Sequence, residues 1–147
     1  MKRRALLQAL PAAAFLHPSL LTASRNNDNP AQGSNKVYEL RVYQAAPGKL
    51  AELLARFREH TTKLFDKHGM KSVAYWTAID EPKKSNTLIY ILEHPSRDAA
   101  AANWKSFQDD PEWKSVRDKS EANGKLVEKV ESTFLTLTDF SPPVRLK

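Results

Sequence analysis

Glu39, Arg41 and Tyr43 occupy alternate positions of the segment Val37-Tyr-Glu-Leu-Arg-Val-Tyr43. In an extended strand they share one face, spaced about 6.6 Å per two-residue step. A carboxylate, a guanidinium and a phenol that close can hold a carboxylate or phosphate ligand, with Arg41 supplying the planar fork. The plainer alternative, an internal ion pair that fixes the sheet or a dimer seam, takes precedence over it. Tyr38, Leu40 and Val42 point the other way and form an apolar face. That face is expected to pack on helices while the polar one lines something partly polar.

Five other side chains invite the same question. His60 and His68 fall on one helical stretch, His68 near its C-terminal end, where the helix dipole and last carbonyls favour a cation. This structural role is preferred for His68 over general acid/base work or a ligand role in a cavity. His94-Pro95 reads as a turn or rim. Trp76 and Tyr90, with Arg41 and Tyr43, are the expected lining of a pocket between the polar sheet face and a helix. Tyr75 and Trp76 point oppositely, so only one of them belongs to a given face. The ligand-binding candidates are thus Glu39, Arg41, Tyr43, His68, Trp76 and Tyr90. Most of the aromatic mass is assigned to core or dimer interface.

Several chemistries are excluded or disfavoured. The 147 residues contain no cysteine, so disulfides, thiolate catalysis and Cys-ligated metals are absent. His60 and His68 lie two turns apart, too far to grip one metal as an i, i+4 pair, and no metal site is expected. Four glycines leave little material for phosphate-cradling loops, and no dinucleotide fingerprint or nucleophile elbow occurs. No cofactor is read from the sequence. The net charge of +6 includes +3 from Lys2, Arg3 and Arg4, and the remaining basic residues are interleaved with acids. Nucleic-acid binding needs a concentrated basic footprint and is not expected.

Residues 1–24 read as an export signal: three positive charges, an apolar run from Ala5 to Leu16, then small residues around Ala23 and Ser24. Arg3-Arg4-Ala5-Leu6-Leu7 is similar to a twin-arginine core, although Lys2 and Gln8 depart from it. The route, Sec or Tat, stays open. Pro11, His17 and Pro18 interrupt the run, so no stable membrane span is expected. The reading places the mature chain in the periplasm or another extracytoplasmic space. Residues 25–35 read as a disordered linker, 36–140 as the folded domain and 141–147 as a tail.

Within the domain, the first strand leads through Pro47-Gly48 into an amphipathic helix predicted from about Pro47 to Lys67, ended by Gly69. Strands are predicted over 71–79 and 86–93 with a polar hairpin loop between them. A helix capped by Ser96 follows, with a second start at Asp110-Pro111 and a stop at Asn123-Gly124. A last strand is predicted over 128–138. The order β-α-β-β-α-β is that of the ferredoxin-like α+β fold, a four-stranded antiparallel sheet with helices on one face. The face without helices, expected to carry Tyr90, Phe134 and one of Tyr75 and Trp76, would be an aggregation risk unless a second copy covered it. A homodimer is expected on that ground.

Tyr38-Glu-Leu-Arg-Val-Tyr43, Pro47-Gly48, Trp104-Lys-Ser-Phe107, Asp110-Pro-Glu-Trp-Lys114 and Phe140-Ser-Pro142 together resemble the NIPSNAP domain, in its order and at about its spacing. The resemblance covers roughly residues 36–143. It implies a dimeric α+β barrel and no established reaction. The wider superfamily includes small monooxygenases, which is an analogy of fold alone. Three functions follow, in order of preference. The first is a homodimer that binds a small apolar or anionic molecule in its barrel. The second is an envelope interaction or structural protein using the barrel to dimerise. The third, by analogy of fold, is a cofactor-free or haem-dependent monooxygenase-like enzyme built on His68 or Trp76.

Overall fold

The computed structural model describes residues 36–144. Residues 1–35, which hold the expected export signal and the whole of the expected linker, lie outside the described residues, as do residues 145–147. Strand β1 (Val37–Ala45) is followed by α1 (Leu50–Arg56), a π-helical segment (Phe57–Thr61) and α2 (Thr62–Lys67). Then come β2 (Lys71–Thr77), a 3-10 turn (Lys83–Ser85), β3 (Thr87–His94), α3 (Arg97–Asp109), α4 (Pro111–Ser120) and β4 (Val127–Leu135). The strands form one sheet in the order β2-β3-β1-β4, and every neighbouring pair is antiparallel. This is the ferredoxin-like α+β arrangement, with the helices on one face.

Local chemistry explains most boundaries. Ser96 is extended and its hydroxyl accepts from the Ala99 amide at 3.1 Å, starting α3. Asp110 accepts from the Glu112 amide at 2.8 Å, with Pro111 at the first helical position of α4. Gly69 ends α2 at φ 73°, where Gly69 N donates to Asp66 O and Met70 N to Phe65 O. That bond pair is the left-handed glycine stop. The predicted single helix over 47–67 is corrected at both its start and its middle. Pro47-Gly48 make a turn, with Gly48 at φ 74°, and α1 begins only at Leu50. At Phe57 the i→i+4 ladder gives way to π-helix, and the Thr61 hydroxyl bonds the Arg56 carbonyl at 3.2 Å.

Cross-strand partners lie on the same side of a sheet, so the register sorts the side chains. Tyr75, Tyr90, Arg41 and Ser132 form one row on the helix side, and Leu92, Glu39 and Phe134 form the next. Trp76, Ile89, Val42 and Glu131 form a row on the opposite, uncovered side. The expected assignment of the two faces is therefore reversed. Glu39, Arg41 and Tyr43 face the helices, while Leu40 and Val42 belong to the bare face and Tyr38, in the same phase, is buried at its edge beside Glu93.

The reason lies in β3. Its Leu88, Tyr90 and Leu92 are all but inaccessible and meet Leu53, Phe57, Leu64, Phe65 and Phe107 from the helices and Met70 from the link between α2 and β2. Burying that apolar set stabilises by roughly 1.5–3 kcal/mol per large side chain, which outweighs where β1 alone would turn. The expectation of Tyr90 and Phe134 on the bare face is overturned with it. Leu40, Val42, Ile89, Ile91 and the 47% exposed Trp76 make the bare face apolar all the same. No helix among the described residues is long and apolar enough to cross a membrane.

Candidate functional site

Glu39 is 1% exposed and sits at the centre of a polar cluster beneath α3. Its Oε1 accepts from Arg41 Nη1 at 2.7 Å and from the Ser132 hydroxyl at 2.6 Å. Its Oε2 accepts from Trp104 Nε1 at 2.6 Å and from His94 Nε2 at 3.1 Å. Two oxygens with four donors leave no lone pair for a ligand. Burial alone would raise the Glu39 pKa, but hydrogen bonds from His94, Ser132, Trp104 and Arg41 hold it down to about 2. Glu39 is therefore a fixed anion that organises its neighbours.

Arg41 is the residue it organises. The guanidinium lies 4.2 Å from the Trp104 ring and 5.5 Å from the Tyr43 ring, the geometry of cation–π stacking. Nη2 reaches the Tyr43 hydroxyl only at 3.4 Å, and Nε, although buried, has no partner among the described residues. Burial works against the charge on Arg41, but Tyr43, Tyr90 and Glu39 outweigh it and raise the pKa. The side chain is a permanently charged plate, clamped on one edge and half-buried.

Unsatisfied polar atoms gather here. Tyr90 is fully buried, its hydroxyl lacks a partner among the described residues, and burial followed by the neighbouring Tyr43 pushes its pKa well up. His94 is also fully buried. Since Glu39 can only accept, His94 Nε2 carries the proton, and Nδ1 is left unpartnered. The chain has placed three orphaned groups on Arg41, Tyr90 and His94 around one carboxylate. Each orphan costs about 1–3 kcal/mol unless something satisfies it.

Among the residues singled out from sequence, Glu39, Arg41, Tyr43 and Tyr90 come together. Trp76 does not, since it lies on the bare face. His68 does not either: its Nδ1 meets the Ser106 hydroxyl at 2.8 Å and its Nε2 meets Asp110 at 2.7 Å. Asp110 also binds Lys67 Nζ at 2.8 Å, and Lys67, His68 and the Glu112 amide hold its carboxyl well below the usual range. His68 thus ties the end of α2 to α3 and α4. His60 is half-exposed beside Glu59.

Three residues of the cluster were not singled out for it from sequence: His94, Trp104 and Ser132. His94, which the sequence reads as a turn or rim residue, is fully enclosed. Its place at the end of β3, in phase with Tyr90 and Leu92, is the signal that could have found it. Nothing local links Ser132 to Glu39, 93 residues away. Among the described residues no group of three or more His, Asp or Glu side chains is placed to hold a metal ion.

The same fold is found in solved structures. An uncharacterised NIPSNAP-like domain protein from Burkholderia xenovorans superposes with a TM-score of 0.66 at 18% identity, over 77% of this chain and 94% of that one. A NIPSNAP family protein from Agrobacterium tumefaciens superposes with a TM-score of 0.63 at 24% identity, over 73% and 97%. Another from the same organism gives 0.63 at 23%, over 74% and 94%. None of the curated proteins matches the chain. The sequence profile of NIPSNAP matches residues 38–142, nearly all of the described domain. By that match the chain belongs to the NIPSNAP family.

Proposed function

We propose that this is an exported, homodimeric small-molecule-binding protein whose ligand offers an anionic or hydrogen-bond-accepting end to Arg41. One observation carries the reading. Glu39 is saturated by four donors, while Arg41 Nε, Tyr90 and His94 keep unused polar atoms around it. Such a set is preorganised, because the cost of orienting the guanidinium is met before a ligand arrives. Trp104 and Tyr43 offer aromatic surface to the ligand's apolar part, and exposed Ser132 on edge strand β4 marks the approach from solvent. The apolar bare face supports the homodimer, since a second copy would remove it from water. Export rests on the leader pattern of residues 1–24.

The test is native mass spectrometry of the mature protein purified from an exporting host without added ligand. A dimer with a reproducible extra mass is expected, and Arg41→Lys, which keeps the charge but loses the fork, should strip it. An empty dimer, unchanged by that substitution, would refute ligand binding.

A second reading has its own support. The space between sheet and helices is filled by a ladder of rings: Tyr43, Phe57, Tyr90, Phe65, Phe107 and Trp113 follow one another at centroid distances of 4.5–5.9 Å. An interior packed by its own aromatics suits an interaction or structural protein that uses the fold to dimerise. The empty dimer would favour it, and partner capture at the cell envelope would test it.

A further inference from the structure

Away from the Glu39 cluster, a groove of about 380 Å³ runs between α1, the π-helical segment and α4. Its floor is partly apolar, with Ala55 and Val116, and its rim carries Glu52, Glu59, His60 and Lys119. Arg56, which also lines it, is only 6% exposed. Both hydrogen bonds of the Arg56 guanidinium leave from Nη1, at 3.0 Å to Glu121 and 3.3 Å to Ser120. Its carbon lies 5.2 Å from the Trp113 ring, and its buried Nε has no partner among the described residues. One edge of a buried, stacked guanidinium is therefore unclaimed beside a cavity.

The backbone next to it is unusual. The π-helical segment begins at Phe57, directly after Arg56, and inserts an extra residue into the turn that carries Glu59 and His60. π-helical turns of this kind recur at functional sites because they re-aim side chains. Here the turn carries Glu59 to the groove that Lys119 also lines, while Glu52 contributes a second carboxylate from one turn before Arg56. Glu52 is itself exposed and tied only to Lys49, a pair of little net worth.

We propose that this groove is a second binding site, for a small zwitterion whose carboxylate and ammonium are joined by a short aliphatic link. The carboxylate takes the unbonded Nη2 of Arg56, assisted by Lys119, in charge-assisted hydrogen bonds. The ammonium takes Glu59 and Glu52, and the link lies on Ala55 and Val116. Charges of both signs around one groove select against ions of one sign, since such an ion leaves the lining charge of its own sign unpaired. The site is independent of the proposed Arg41 site and shares no residue with it.

The test follows the backbone amide resonances of the full-length chain during titration with glycine, 4-aminobutanoate and 5-aminopentanoate. Pentanoate and pentylamine serve as singly charged controls. Saturable shifts confined to residues 52–60 and 116–121 are expected for at least one zwitterion, with both controls weaker by about tenfold or more. Glu59→Gln and Lys119→Ala are exposed changes that leave the fold intact, and each should weaken binding about threefold or more. Arg56→Lys should abolish saturation while keeping the near-ultraviolet dichroism of the folded chain. No saturable shift at about 50 mM, or equal binding of controls and zwitterions, would overturn the proposal. Shifts centred on Arg41 and Trp104 would also overturn it, and would instead favour a ligand at the first site.

Discussion

Trp104 donates its indole N–H to Glu39 at 2.6 Å across 65 residues of chain, and the same indole ring lies 4.2 Å from the Arg41 guanidinium. One side chain of α3 thus touches both members of the β1 ion pair. It completes the coordination of the anion and covers the face of the cation. The position of α3 over β1 and the rigidity of Arg41 are therefore linked.

Trp104→Phe separates the two contacts. The ring stays, but Glu39 loses one of four donors, and a charge-assisted hydrogen bond is worth about 1.5–3 kcal/mol. Urea unfolding should show a loss in that range, against about 3–5 kcal/mol for Trp104→Ala, which also opens a cavity. Equal losses for the two variants would mean that the indole N–H contributes nothing.

Glu39→Gln removes the charge and turns one acceptor into a donor that faces other donors. Arg41 is left buried without its anion, and breaking such a pair costs about 3–5 kcal/mol. A midpoint within error of the parent in chemical denaturation would sink the view of Glu39 as the organising anion.

The pH dependence follows from the same carboxylate. Its folded pKa of about 2 lies below the ordinary value of 4.5, so ionised Glu39 stabilises the fold above pH 4.5. That stability is lost as pH falls from 4.5 through 2, and at 1.36 kcal/mol per unit it amounts to about 3 kcal/mol. Asp110 is depressed too and titrates at low pH, so the informative quantity is the difference between parent and Glu39→Gln. The acid limb should be shallower in the variant. Parallel limbs would assign acid lability to other groups.

Gly69→Ala tests the stop after α2. The residue sits at φ 73°, and an added Cβ would lie 3.3 Å from the Asn103 amide nitrogen. Left-handed backbone costs a non-glycine residue roughly 1–2 kcal/mol, and the contact adds to it. A thermal midpoint unchanged by this substitution would contradict the geometry.

Ile91→Lys tests the proposed homodimer. Ile91 pairs with Leu40 at the centre of the bare face, where a charge is tolerated in water and costly against another apolar sheet. Light scattering should report a dimer for the parent and a folded monomer for the variant. A monomeric parent would remove the dimer from the functional reading.

The division between what was readable and what was not has a physical basis. Ser96, Asp110-Pro111 and Gly69 act within one turn of themselves, so their roles were legible in the sequence, as was the element order and with it the ferredoxin-like sheet. The alternation of Glu39, Arg41 and Tyr43 is likewise local, and their common face followed from it. Which way that face turns is not local. β1 alone favoured hiding Tyr38, Leu40 and Val42, and only its pairing with β3, whose Leu88, Tyr90 and Leu92 bury against the helices, carried the charged residues inside. The partners of Glu39 come from β1, β3, α3 and β4, up to 93 residues away. No spacing rule connects His94, Trp104 and Ser132 to one carboxylate. Local stereochemistry determined the elements, and the burial of apolar surface summed over the whole sheet decided where the charges went.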